Sequence, residues 1–168
     1  MIKSLLFVLL LGQAPDDTVK FVNPAEILSQ GAELEKSGEF EKAVELYLMV
    51  SENDTSYMQV QSTLMSAYNS LEQYDKSIAI GTKLKDIYSS YRKDIYIDLG
   101  NAYLDGGDYE KSRKIYAEGV KLFPYNYVLL YNLGLANRRC GDLQEAFSYF
   151  QQSAGINPFY SNNHIMLG

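Results

Sequence analysis

The residues able to carry chemistry are few, and their spacing limits what each could do. Cys140 follows Arg138 and Arg139, a setting that lowers a thiol pKa when the thiol is exposed. Its base would have to be His164, the one histidine of the chain, brought from a neighbouring unit into hydrogen-bond reach. A small buried residue at a helix end explains Cys140 more simply, so no catalytic role is assigned to it. A single cysteine and a single histidine exclude an internal disulfide framework and a histidine-rich metal cage. Asp105-Gly106-Gly107-Asp108-Tyr109-Glu110 resembles part of a calcium loop but lacks the full ligand spacing, and a helix-connecting turn fits it better. Asn53-Asp54-Thr55 matches a glycosylation acceptor, a pattern of low specificity. With no Gly-rich phosphate loop or paired metal motif, the chain is expected to be non-catalytic and to hold no cofactor or metal.

Composition narrows the partners. Fifteen basic against twenty-one acidic side chains give 168 residues a formal charge of −6. That balance argues against a nucleic-acid partner, which needs a surplus of Lys and Arg. With 46% apolar residues the chain can build a core.

Residues 1–14 read as a basic start at Lys3, the apolar run Leu5 to Leu11, and small residues near Ala14. These are the three parts of a secretory signal peptide, and they predict an exported protein, with a cytoplasmic one as the alternative. The run is far shorter than the roughly 20 residues of a membrane span, so no stable span is expected. Residues 15–23 are polar, lack periodicity and read as a linker. Asn23 as cap, Pro24 at the first helical position and Glu26 soon after mark a helix start.

From there the elements repeat. Leu99, Leu133 and Leu167 stand 34 residues apart, as do Gly100, Gly134 and Gly168, and Pro124 with Pro158. Phe40 recurs as Tyr74, Tyr109 and Leu143; Tyr47 recurs as Gly81, Tyr116 and Phe150. A fixed period of this length marks a repeat architecture. Each unit contains two helices: Tyr96, Leu99, Gly100 and Tyr103 share one helical face, Asp105 to Asp108 break it, and Tyr109, Ser112, Ile115, Tyr116 and Gly119 resume it. Gly31, Gly100 and Gly134 would let the facing helix approach while an aromatic fills the space beside them.

On these residues the chain resembles the tetratricopeptide-repeat proteins. The matching positions are Leu99-Gly100, Tyr103, Gly107, Tyr109, Tyr116 and Pro124, then Leu133-Gly134, Gly141, Ala146, Phe150, Ala154 and Pro158, with Gly31, Gly38, Phe40, Ala43 and Tyr47 in the first unit. The second unit matches least, because Met65 replaces the small residue and Gly81 an aromatic. The resemblance implies an all-α fold, a right-handed superhelical stack of antiparallel helix pairs. Its four repeats would cover 24–57, 58–91, 93–126 and 127–160, and residues 161–168 repeat the opening of a fifth. A polar terminal cap is not evident there, so the chain is expected to be part of a longer protein.

The resemblance also implies a concave face lined by first helices. Asp94, Asp98, Asn101 and Asp105 follow at intervals of 4, 3 and 4 and form an acidic stripe along one of them. Ile97 lies within the stripe; Ser62, Ser66 and Asn69 are the polar counterparts in the second unit, and Tyr131, Asn132, Leu135 and Arg138 those in the fourth. Together they are the candidate peptide-binding groove, with Tyr131 and Leu135 as its apolar contacts. Asp105 and Arg139 could instead simply pair between repeats, an exposed contact that contributes about 0 to 1 kcal/mol. Relatives that clamp the carboxylate tails of chaperones use Lys, Asn and Arg where this chain has Leu28, Ala32, Thr63, Asp94 and Asp98. Carboxylates there would repel such a ligand, so that clamp is absent. The reading is a protein or peptide-binding scaffold or adaptor, able to self-associate through an uncapped C-terminal end. The alternative is a regulatory or substrate-docking segment of a larger enzyme or sensor.

Overall fold

The computed structural model describes residues 23–88 and 92–159. Eight helices lie in these segments: α1 (Pro24–Lys36), α2 (Phe40–Tyr47), α3 (Tyr57–Ser70), α4 (Tyr74–Tyr88), α5 (Lys93–Asp105), α6 (Tyr109–Leu122), α7 (Tyr127–Cys140) and α8 (Leu143–Ile156). The second helix of every pair starts on the recurring residue Phe40, Tyr74, Tyr109 or Leu143. Each helix packs on the next in chain order, as a stack of hairpins must, because one hairpin cannot cover its own apolar face. The leader and linker residues 1–22, Tyr91, Tyr160, His164 and the start of a fifth repeat lie outside the described residues.

Short polar signals set the helix ends. Asn23 accepts a hydrogen bond from the Ala25 amide at 3.0 Å, with Pro24 at the first helical position. Asp108 caps α6 and Asn126 caps α7, accepting from the Lys111 and Leu129 amides. All four hairpin turns close alike. The amides of Glu39, Gln73, Asp108 and Asp142 donate back to the carbonyls of Leu34, Tyr68, Tyr103 and Asn137, the Schellman arrangement that ends a helix on a left-handed residue. That residue is Gly38, Gly107 and Gly141 in three turns and Glu72, at φ 57°, in the fourth. A side chain there works against the backbone, since the left-handed region costs an L-residue roughly 1 to 2 kcal/mol. Glu72→Gly is therefore expected to stabilise the protein by about 0.5 to 1 kcal/mol after the added freedom of the unfolded chain is counted. A thermal melt checks it, and a lowered midpoint would show that Glu72 makes a compensating contact.

The hairpin interiors follow a small-against-large rule. A Cβ placed on Gly100 would lie 2.3 Å from the Tyr116 ring, one on Gly31 2.2 Å from Tyr47, and one on Gly134 2.6 Å from Phe150. The second pair keeps the rule with the partners exchanged. Met65, fully buried, stands on the first helix, and a Cβ on Gly81 of the second would lie 2.6 Å from its sulfur. What reads in sequence as two departures from the repeat is one compensated substitution in space, because the volume between the helices is conserved.

Candidate functional site

Successive first helices touch, α3 with α5 and α5 with α7. The second helices α4 and α6 stand farther apart and are joined through the Lys85–Glu118 ion pair at 2.7 Å. A stack whose first helices crowd and whose second helices spread curves with the first helices inside, so α3, α5 and α7 line the concave side.

A hydrogen-bonded polar seam crosses that side from helix to helix. Ser62 Oγ donates to Asp94 Oδ2 at 2.9 Å, and Asn69 Nδ2 donates to the Asp98 carbonyl at 2.9 Å. Asn101 Oδ1 accepts from the Tyr116 hydroxyl at 2.5 Å and from Asn132 Nδ2 at 3.3 Å. Seven of the sequence-derived groove residues thus behave differently from one another in the fold. Ser62, Asp94, Asn69, Asn101 and Asn132 are committed to holding neighbouring helices in register, whereas Ser66 and Asp105 are exposed. Arg138 is exposed near the end of α7.

The apolar members of the set require a correction. Tyr131 is only 5% exposed and its ring lies 5.3 Å from that of Phe150. Leu135 packs against the same cluster, and Ile97 packs against the cluster built on Tyr96, Leu99, Tyr116 and Leu129. Tyr131 is a core side chain, whereas Ile97 and Leu135 are partly buried at the margin of the core. Periodicity places a residue on a face but cannot separate the edge of the core stripe from the groove beside it. The Asp105–Arg139 pairing is also replaced: the Arg139 guanidinium sits 5.9 Å from the centre of the Tyr109 ring, and acts on Asp105 only through space.

The electrostatics of α5 are uneven along its length. Burial pushes the Asp94 carboxyl up, but the ion pair with Arg92 and the Ser62 hydroxyl outweigh it and leave its pKa lowered. Asp98, half-buried one turn further on, is raised to about 7, first by burial and then by the negative charge of Asp94. Asp105 is raised as well, by burial, with Arg139 opposing. The groove floor therefore carries one firmly ionised carboxylate and one poised near neutrality.

Cys140 is partly exposed, and burial followed by Glu110 raises its thiol pKa, opposite to the lowering that its two neighbouring arginines suggest. No group of three or more His, Cys, Asp or Glu residues that could hold a metal ion occurs among the described residues. Among them no helix is long and apolar enough to cross a membrane.

Comparison with known proteins follows the same lines. The tetratricopeptide-repeat family model matches residues 97–161. The bovine (Bos taurus) BBSome complex member BBS4 is 30% identical over 122 residues, which cover 72% of this chain and 23% of that protein. The chain thus spans less than a quarter of that relative. A thermophilic tetratricopeptide-repeat protein of Thermus thermophilus, TTC0263, superposes with a TM-score of 0.74 at 16% identity, over 86% of this chain and 79% of its own. MamA of Desulfovibrio magneticus superposes with a TM-score of 0.72 at 16% identity, over 84% of this chain and 79% of its own. The helical hairpins in tandem, the small-against-large packing at each interior and these matches show the fold of the tetratricopeptide-repeat proteins, an all-α solenoid, with the family's own model matched over residues 97–161.

Proposed function

We propose that the chain is a protein-binding scaffold that holds an extended segment of a partner against the concave side of α3, α5 and α7. The observation that carries this reading is the polar seam itself. Hydrogen bonds between Ser62 and Asp94, Asn69 and Asp98, and Asn101, Tyr116 and Asn132 fix three helices side by side. A preorganised surface of this kind lowers the ordering cost of binding. The residues beside the seam, Ser66, Asp98 and Asp105, are the ones left to meet a ligand. Asp105, joined by Asp98 once that group is ionised, favours a segment bearing Lys or Arg over an acidic one.

A photoreactive side chain at Ser66 or Asp105 is expected to trap a partner in cells. The same group at Lys114, exposed on the outer helix α6, should trap none. Crosslinks confined to Lys114 would place the binding face elsewhere. Because the chain spans 23% of the bovine relative, the same groove also fits a second role, as the docking segment of a larger protein.

A further inference from the structure

The edge at which second helices end and the next first helices begin has a character of its own. Exposed large apolar side chains recur along it once per repeat. Ile87, Leu122 and Ile156 follow at intervals of 35 and 34 residues, and Tyr125 and Phe159 at 34. Their exposure runs from 41% at Ile156 to 94% at Phe159. Antiparallel pairing puts the ends of α4, α6 and α8 and the starts of α5 and α7 on this one side, and the Lys85–Glu118 pair brings the last turns of α4 and α6 together. A row of this kind is unusual, since exposed apolar side chains are normally scattered singly.

The charges beside the row are basic. Lys83, Lys93 and Lys121 are exposed and make no ion pair among the described residues; Asp86 is the exposed acid beside them. Arg92 and Lys85 are neutralised by Asp94 and Glu118. The first repeat's share of the edge carries Glu45, Glu52 and Asp54 and the end of α8 carries no Lys or Arg, so the basic stretch runs only from α4 to α6. The opposite edge, where the hairpins turn, mixes both signs: Glu39, Glu72, Asp75, Asp105, Asp108 and Asp142 stand beside Lys36, Lys42, Lys76, Lys111, Arg138 and Arg139, and Glu39, Asp108 and Asp142 are ion-paired.

We propose that the edge formed by the ends of α4, α6 and α8 lies on an anionic lipid surface. Tyr125, Phe159, Leu122, Ile87 and Ile156 would enter the headgroup region, with Lys83, Lys93 and Lys121 against the lipid charges. A second copy of the chain fits less well. Edge against like edge opposes lysine to lysine, and edge against the hairpin turns offers the apolar row a single large exposed apolar side chain, Leu143. A lipid surface supplies both anionic groups and an apolar layer. This reading is independent of the concave groove.

Sedimentation of the full chain with vesicles tests it. Binding to phosphatidylcholine mixed with phosphatidylserine should exceed binding to phosphatidylcholine alone by about tenfold or more, since each lysine near such a surface contributes about fivefold. Lys83→Glu with Lys93→Glu and Lys121→Glu should abolish the preference. Tyr125→Ser with Phe159→Ser, both in exposed turns, should weaken binding to either vesicle while the thermal melt stays unchanged. Vesicle binding that survives both sets, or no binding by the unaltered chain, overturns the proposal. So does a dimer in gel filtration that both sets split into monomers, because the edge would then be a contact between proteins.

Discussion

Gly81→Tyr is expected to destabilise the second hairpin by about 3 kcal/mol or more, and Met65→Gly by about 3 to 5 kcal/mol, while the double variant recovers most of the loss. The first figure reflects overpacking: a Cβ at residue 81 already lies 2.6 Å from the Met65 sulfur and 3.0 Å from Leu99, and a ring beyond it has no room. The second combines the cavity left by a fully buried Met with a glycine in a helix interior. Together the substitutions recreate the arrangement of Gly100 with Tyr116, where the large residue comes from the second helix and the small one from the first. A double-mutant cycle by urea denaturation should therefore give a coupling of at least about 2 kcal/mol. Additive losses would mean that residues 65 and 81 do not share one volume.

The second large effect depends on pH. Asp98 has its pKa raised to about 7 in the folded protein, by burial and by Asp94, against an ordinary value near 3.9 in the unfolded chain. A raised folded pKa means that the native state holds this proton more tightly. The contribution is fully present below about pH 4 and is lost as pH rises to about 7. Asp98→Asn, an uncharged group of the same shape, should match the wild type at pH 4 and exceed it at pH 8. The gain at pH 8 is on the order of 2 kcal/mol, with the full shift discounted for the openness of the groove. The groups facing Asp98 make the sign firm. Asp94 on its own helix repels it, the Tyr116 hydroxyl from α6 is itself raised by burial and by nearby acids, and Asn69 from α3 donates to the Asp98 carbonyl rather than to its carboxylate. Thermal melts across that range decide it. Equal midpoints at pH 8 would show that the carboxylate is solvated.

The two effects come from different levels of organisation, and they differ in how far they can be read without the fold. The repeat period, the helix starts at Phe40, Tyr74, Tyr109 and Leu143, and the turns at Gly38, Gly107 and Gly141 are all visible in the chain. Each depends on a local preference repeated in register: caps, left-handed glycines and the spacing of one apolar face. The use of Gly31, Gly100 and Gly134 is likewise visible, because close approach needs a missing side chain.

The groove was only partly legible. Its polar members lie on the first helices, but Tyr131 is packed into the core, Ile97 and Leu135 lie partly buried against it, and Ser62 and Asn101 are held by bonds to other repeats. A helical period gives an angle around one axis, whereas burial depends on which neighbouring helix stands at that angle. The exchange of Met65 with Gly81, the position of Asp98 near neutrality and the gathering of Lys83, Lys93 and Lys121 along one edge were decided by tertiary structure alone. All three depend on distances between residues far apart in the chain. Local sequence determined the hairpins and their order; the stacking of those hairpins determined which charges are buried and which faces are left open.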